Sequence, residues 1–252
     1  MAGVNGAALV VGGASGIGRA CVEALGADGW KVAVADLKPD PEHPDTIAVD
    51  VRDRDTLRAA VDDVASRHGG LGAVVYAAGT ARVTPLLEID PAEWDLVTSV
   101  NLTGAFNVLQ AAAPHLVEGS SFTLISSVDS SGPVAGLSHY SAAKAGAEAL
   151  IRSAALELGH RSIRCNSVLP GVVRTPLMAG TLDRPGITEA FLEHIPLGRI
   201  AAGGDIAGVV AFLASPAAGW ITGVSLPVDG GMSLREHPAL LDGAEPTRKD
   251  YA

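Results

Sequence analysis

Short apolar runs alternate along the chain with segments of helical spacing. Ala7–Val11 is apolar throughout and stops at glycines. Gly16–Asp28 places Ile17, Ala20, Cys21, Ala24 and Leu25 on one side of a helix. Lys31–Ala35 and Thr46–Val49 are short strands ending at Asp36 and Asp50, and Asp55–His68 is a helix with Leu57, Val61 and Val64 inward. Ala73–Ala77 is a strand ending at Gly79. Asp90-Pro91 is an N-cap and first-turn pair that opens one long helix over Ala92–Leu116. Ser121–Ser126 reads as a strand, Ser138–Leu158 as a second long helix, Ile163–Val168 as a strand, Asp205–Ala214 as a helix and Val224–Val228 as a last strand. Wholly apolar strands separated by helices imply a parallel sheet covered on both faces, a single doubly wound α/β domain over about residues 1–232. Two stretches break the rhythm. Thr175–Gly204 is a long insertion at the end of a strand, the usual place for a binding lid, and Ser233–Ala252 is a polar tail, either a frayed terminus or an arm that reaches a neighbouring subunit.

Composition narrows the classes. Of 252 residues, 48% are hydrophobic and 18% charged, enough apolar material for a core. The net charge of −10 leaves no basic surface for nucleic acid or anionic lipid. The two cysteines, Cys21 and Cys165, make no disulfide framework and have no zinc spacing, and no metal is expected. The longest apolar runs fall short of the roughly 18 residues of a membrane span, and no signal sequence opens the chain, so a soluble, cytoplasmic protein is expected. Thirty glycines suit loops whose backbone approaches a ligand.

The first such loop is Gly12-Gly13-Ala14-Ser15-Gly16-Ile17-Gly18, between a strand and a helix. Its glycines allow a tight turn, and the helix N-terminus offers free N–H groups and partial positive charge to a diphosphate. Asp36 follows Gly18 by 18 residues, at the end of the next strand, where a carboxylate bonds a ribose diol and repels a 2′-phosphate. Leu37 and Ser15 bring no positive charge there, which favours NAD over NADP. Asp50-Val51 either closes the adenine pocket or starts a turn, and Ala78-Gly79 either lets the backbone pass beneath a ribose or serves packing.

Tyr140 and Lys144 share one helical face, and Ser127 lies thirteen residues before Tyr140, just past a strand. A neighbouring ammonium favours a phenolate and would bring the tyrosine below its ordinary pKa of about 10. Such a phenol exchanges a proton with an alcohol or carbonyl oxygen, and Ser127 can donate to the same oxygen. With NAD beside them, these groups suffice for hydride transfer at an alcohol carbon.

Taken together, Gly12-x-x-x-Gly16-x-Gly18, Asp36, Asp50-Val51, Asn101, Ser127, Tyr140-x-x-x-Lys144, Pro170-Gly171 with Thr175, and Asp229-Gly230-Gly231 resemble the short-chain dehydrogenase/reductase family across about residues 6–232. The resemblance implies a Rossmann-like fold with Tyr140 as general acid/base, Ser127 polarising the substrate oxygen, and Lys144 bonding the nicotinamide ribose and tuning Tyr140. It implies that Asn101 holds a water on the proton path, that Val173 and Thr175 touch the carboxamide, and that the protein is a homotetramer through the helices Ala92–Leu116 and Ser138–Leu158. Two positions depart from the family: Val11 stands where a threonine is usual, and Tyr76-Ala77 where two asparagines are. Both bear on support of the cofactor pocket.

Other residues read more plainly. His139 cannot share the lysine's helical face and either lines the pocket mouth or packs; Cys165 belongs to the core; Glu148 and Arg152 form a solvated helical pair. For the substrate, Val128, Val134, Leu137, Leu177, Met178 and Phe191 offer an apolar lining suited to a hydrophobic secondary alcohol or ketone, alicyclic, aryl or steroid-like. The competing readings are an NADPH-dependent 3-oxoacyl-(acyl-carrier-protein) reductase, which wants a basic docking face, and a non-catalytic nucleotide-binding regulator.

Overall fold

The structure, a computed structural model, describes residues 6–38 and 46–234. The tail expected from Ser233 lies beyond Leu234 outside the described residues. Seven strands form one parallel sheet in the order β3-β2-β1-β4-β5-β6-β7: β1 Ala7–Val11, β2 Val32–Asp36, β3 Ile47–Ala48, β4 Leu71–Tyr76, β5 Leu116–Ile125, β6 Arg164–Pro170 and β7 Ser225–Val228. The helices are α1 Gly16–Ala27, α2 Arg54–His68, α3 Pro91–Thr98, α4 Gly104–Ala112, α5 Ser138–Leu158, α6 Pro176–Leu182, α7 Ile187–His194 and α8 Gly203–Ala214. Every strand pairing is parallel, as continuous apolar runs demand when both faces are covered.

Alternation along the strands divides the core between the two faces. Leu9 and Val11 of β1 and Phe122 and Leu124 of β5 pack with Val61 of α2, Val108 of α4 and Ile151 of α5. Ala8 and Val10 of β1 pack with Leu25 of α1 and Ile206 and Val210 of α8. Strand order reverses direction between β1 and β4, so a crevice opens past their carboxyl ends, the usual ligand position in such sheets. Among the described residues, no helix is long and apolar enough to cross a membrane.

The long helix expected over Ala92–Leu116 is interrupted. After α3 the chain makes a π turn over Ser99–Thr103 before α4, and a short 3₁₀ turn at Ala113–His115 ends the segment one residue before β5. Periodicity alone does not reveal the interruption, because its causes are distant in sequence. Asn101 Nδ2 donates to the carbonyls of Val97 (2.9 Å) and Thr80 (2.7 Å), and the hydroxyl of Tyr76, at the end of β4, donates to the Val100 carbonyl at 2.5 Å. Tyr76, which replaces the family's asparagine, is fully buried and props the turn. Two further elements differ from expectation. β3 shrinks to two residues, and β5 starts five residues early because Leu116 already pairs with Leu71 of β4.

Tyr76→Phe keeps the ring but removes the hydroxyl, leaving the Val100 carbonyl without that donor. The expected loss is about 1 kcal/mol of unfolding free energy by urea denaturation; an unchanged midpoint would show that the π turn stands without it.

Candidate active site

The turn between β1 and α1 is shaped by two glycines. Gly12 has φ +82°, and a Cβ there would fall on the backbone of Ala78. A Cβ on Gly18 would fall on the carbonyl oxygen of Gly12. The loop is therefore folded tightly on itself and against the end of β4. Ser15 is exposed at the start of α1 with no side-chain cap, and the first amides of the helix, including those of Gly16 and Ile17, have no intrahelical partner. Asp36 ends β2 beside this loop. Its Oδ2 accepts from the Ala14 amide at 3.0 Å and its Oδ1 from the Lys38 amide at 3.1 Å, while Leu37 is exposed. A glycine-lined turn, a free helix N-terminus and an adjacent carboxylate fit a dinucleotide.

The rest of the rim follows the carboxyl ends of the strands. The Asp50 carboxylate is gripped by the Arg52 guanidinium, with Nη2 2.6 Å from Oδ2, and that bond holds its carboxyl below the usual range. Val51 is buried, and its carbonyl accepts from Asn107 Nδ2 at 2.9 Å. Ala78 and Gly79 follow β4. Pro170 closes β6, and Gly171 donates to the Val228 carbonyl of β7 at 3.3 Å. Val173 is buried and bridges in parallel to Ala201. Thr175 caps α6 next to Gly16, whose Cβ would meet its methyl at 3.3 Å.

Ser127, Tyr140, Lys144 and Asn101 gather at the same edge. Ser127 lies near enough to Tyr140 for its hydroxyl to pull the phenol's pKa down. Lys144 Nζ lies 5.6 Å from the centre of the Tyr140 ring and donates to the Ile125 carbonyl at 2.8 Å. A Cβ on Gly79 would sit 3.1 Å from Asn101 Oδ1 and 3.6 Å from Lys144 Nζ, so both groups border the gap that this glycine leaves. Asn101 Oδ1 is buried without a hydrogen-bond partner among the described residues.

A family model described as Enoyl-(Acyl carrier protein) reductase matches residues 12–233, so it takes in the glycine loop, all four of these residues and the last strand. The chain belongs to the short-chain dehydrogenase/reductase family. A 4-formylbenzenesulfonate dehydrogenase of Comamonas testosteroni is 38% identical over 245 residues, covering 90% of this chain and 97% of that one. A 3-oxoacyl-(acyl-carrier-protein) reductase of Thermotoga maritima is 32% identical over 240 residues, with 90% and 97% covered. The structure of a short-chain type dehydrogenase/reductase from Mycobacterium ulcerans superposes with a TM-score of 0.88 at 31% identity, covering 95% of this chain and 94% of that one. As a short-chain dehydrogenase/reductase the chain is an oxidoreductase, and the family uses NAD(H) or NADP(H).

Within this site of the short-chain dehydrogenase/reductase, the electrostatics differ from the sequence expectation. Tyr140 is not lowered by Lys144. Burial pushes the phenol up to about 12, the nearby Ser127 hydroxyl pulls it partly back, and the charge of Asp129 raises it. Lys144 is itself pushed down to about 8 by burial, opposed by the charge of Glu148. Its ammonium points to the Ile125 carbonyl and the ring face, not to the phenol oxygen.

Several residues escaped the sequence reading. Glu148 is buried, not solvated: its Oε1 accepts from Ser126 at 2.6 Å and its Oε2 from Ser225 at 2.7 Å, with Arg152 4.0 Å away. Its spacing of four from Lys144 was the available signal. Asp129, two residues after Ser127, is half-buried and joined to it. His139 is fully buried and lines no pocket mouth; its Nε2 lies 3.1 Å from Glu93 Oε1 of α3. Cys165 is buried in the core as expected, which pushes its thiol up to about 12.

On the loops before α3 and α5, an open, mostly apolar depression of about 610 Å³ is lined by Val83, Pro85, Leu86, Pro133–Gly136 and Ser138. Of the six expected lining residues only Val134 borders it. Val128 is buried in the turn after Ser127, Leu137 precedes α5, and Leu177, Met178 and Phe191 lie on α6 and α7, the two short helices within the 175–204 segment.

The depressed Lys144 gives a pH test. Between about 8 and its unfolded value of 10.5 the unfolded chain holds a proton that the folded chain has released, so Lys144 contributes stability that rises with pH in that window. Unfolding free energies of the native protein and Lys144→Met, compared from pH 7.5 to 10, should shift in favour of the native protein as pH rises. A difference independent of pH would contradict the buried ammonium.

Proposed function

We propose that this short-chain dehydrogenase/reductase interconverts a secondary alcohol with an apolar body and its ketone, using NAD(H), with Tyr140 as general acid/base. The observation that carries the reading is Lys144 Nζ set over the Tyr140 ring and, with Asn101 Oδ1, at the gap left by Gly79, on the sheet edge that also bears the glycine loop. A nicotinamide, when bound, accepts or supplies the hydride. Gly12, Ser15, Gly16, Ile17 and Gly18 would hold its diphosphate, Asp36 and Leu37 the adenosine ribose, and Asp50 and Val51 the adenine. Ala78, Gly79, Pro170, Gly171, Val173 and Thr175 would border the nicotinamide end, and Tyr140 and Lys144 its ribose. Tyr140 takes the proton from the carbinol oxygen while Ser127 donates to that oxygen. Lys144 and Asn101, both at the Gly79 gap, carry the proton onward.

A phenol pushed up by burial is held protonated, the state that donates to a carbonyl oxygen in reduction; in the oxidation direction it must first release that proton before it takes the carbinol's. The Asp36 carboxylate, already at the loop and with no cation at position 37, supports NAD. The mostly apolar depression lined by Val83, Leu86 and Val134, on the loop that leads into α5 and Tyr140, supports a hydrophobic substrate. The 3-oxoacyl-(acyl-carrier-protein) reductases among the relatives favour a second reading, an NADPH-dependent reductase of acyl thioesters. A net charge of −10 opposes docking of an acidic carrier protein. A cytoplasmic homotetramer built through α4 and α5 completes the proposal; Phe106 and Leu156 leave apolar side chains exposed on those helices.

Tyr140→Phe should lower kcat by at least about 100-fold while NAD binding, followed by titration, changes little; equal turnover would remove the acid/base assignment. The unaltered protein should bind NAD at least about tenfold more tightly than NADP, and Asp36→Ala should narrow that ratio. Tighter NADP binding would favour the second reading.

A further inference from the structure

The π turn before α4 releases a backbone acceptor, and a side chain from another element supplies its donor. The Gly104 amide donates to the Ser99 carbonyl, five residues back. In a regular α-helix it would donate four residues back, to Val100. The Tyr76 hydroxyl donates to that passed-over Val100 carbonyl at 2.5 Å. Burial pushes the phenol up, so it keeps the proton it donates. The space it fills is left by Gly104, where a Cβ would fall on the Tyr76 hydroxyl and lie 2.7 Å from the Val51 side chain. The residue after Val100 is Asn101, which is fully buried. Its Nδ2 donates to the Val97 and Thr80 carbonyls, and its Oδ1 has no partner among the described residues. That oxygen borders the same gap as Lys144 Nζ: a Cβ on Gly79 would lie 3.1 Å from the one and 3.6 Å from the other. A return of the turn to the α register would remove its extra residue and rotate the segment that bears Asn101 relative to α4.

We propose that Tyr76 is a positioning residue for the reaction: its hydroxyl holds the π register and so keeps Asn101 Oδ1 at the gap beside Lys144. This rests on the proton path given to Lys144 and Asn101 above. Tyr76 touches neither substrate nor nicotinamide in this role and acts through Asn101. The glycine turn that would hold the diphosphate is shaped by Gly12 and Gly18, away from this contact. Val51, which borders the same space as the phenol, is held independently, its carbonyl accepting from Asn107 Nδ2 at 2.9 Å. Loss of the Tyr76 hydroxyl therefore slows proton transfer and leaves cofactor binding in place.

The test measures kcat for cyclohexanol and 1-phenylethanol, with NAD and with NADP, in the unaltered protein, Tyr76→Phe, Asn101→Ala and the double variant, beside cofactor binding by titration. Tyr76→Phe should lower kcat by about tenfold, as a small misplacement of a group on the proton path does, while the cofactor Kd stays within about twofold. In the Asn101→Ala background the same substitution should leave kcat unchanged, because the group that Tyr76 positions is gone. A merely structural role would lower kcat by the same factor in both backgrounds. The solvent deuterium isotope effect on kcat should rise in Tyr76→Phe, since proton transfer is then slower relative to hydride transfer, and this measurement carries the test if Asn101→Ala does not fold. An unchanged kcat in Tyr76→Phe, an equal loss in both backgrounds, or an unchanged isotope effect overturns the role of Tyr76 and leaves the proposed reaction standing. No turnover of either alcohol with either cofactor overturns the proposed reaction, and this inference with it.

Discussion

A buried lysine ammonium organises the site. Lys144 is 3% exposed, and a charge so far from water is tolerated only where acceptors surround it. The acceptor is the Ile125 carbonyl at the last residue of β5, which fixes how α5 lies across the end of that strand. One helical face then runs along the strand terminus at intervals of four. Tyr140 meets Ser127, Lys144 meets Ile125, and Glu148 meets Ser126. Glu148 further ties β5 to β7 through Ser225 and lends its charge to Lys144. The phenol, the ammonium and the carboxylate are thus set by a single packing register.

The opposite wall of the gap at Gly79 is built by different means. There a helix is made to deviate, and the deviation is sustained by side chains on two other segments: Tyr76 from the end of β4, and Asn101 reaching to Thr80. Position 76 is one of the places where this chain departs from its family, and the departure keeps a buried polar group there. A longer side chain now reaches a carbonyl inside the π turn.

How much of this the amino-acid pattern discloses depends on the range of the interaction. The strand-helix rhythm, the parallel sheet and the ends of α5 follow from local periodicity, and Ser138–Leu158 agrees to the residue. The glycine loop, Asp36 and the Tyr140–Lys144 pair are readable because each is a short motif with its own chemistry. The broken helix is not, since its causes come from Tyr76 and Thr80. Glu148 looks like half of a surface pair until β7 is placed over it. The sign of the Tyr140 shift fails for a related reason: spacing reveals a neighbouring cation but not how much water both groups lose.

The segment between β6 and α8 has a pinned neck. Val173 bridges Ala201, with the Arg174 amide donating to the Ala201 carbonyl at 2.8 Å and the Ala201 amide to Val172 at 3.2 Å. These bonds hold the two ends of the excursion together at its base, so the entropy of closing it changes only slowly with its length. Residues can be added, lost or exchanged around α6 and α7 without moving Thr175 from Gly16 or α8 from the sheet. Anchored in this way, the excursion is a self-contained unit whose make-up can change while the nucleotide edge stays constant.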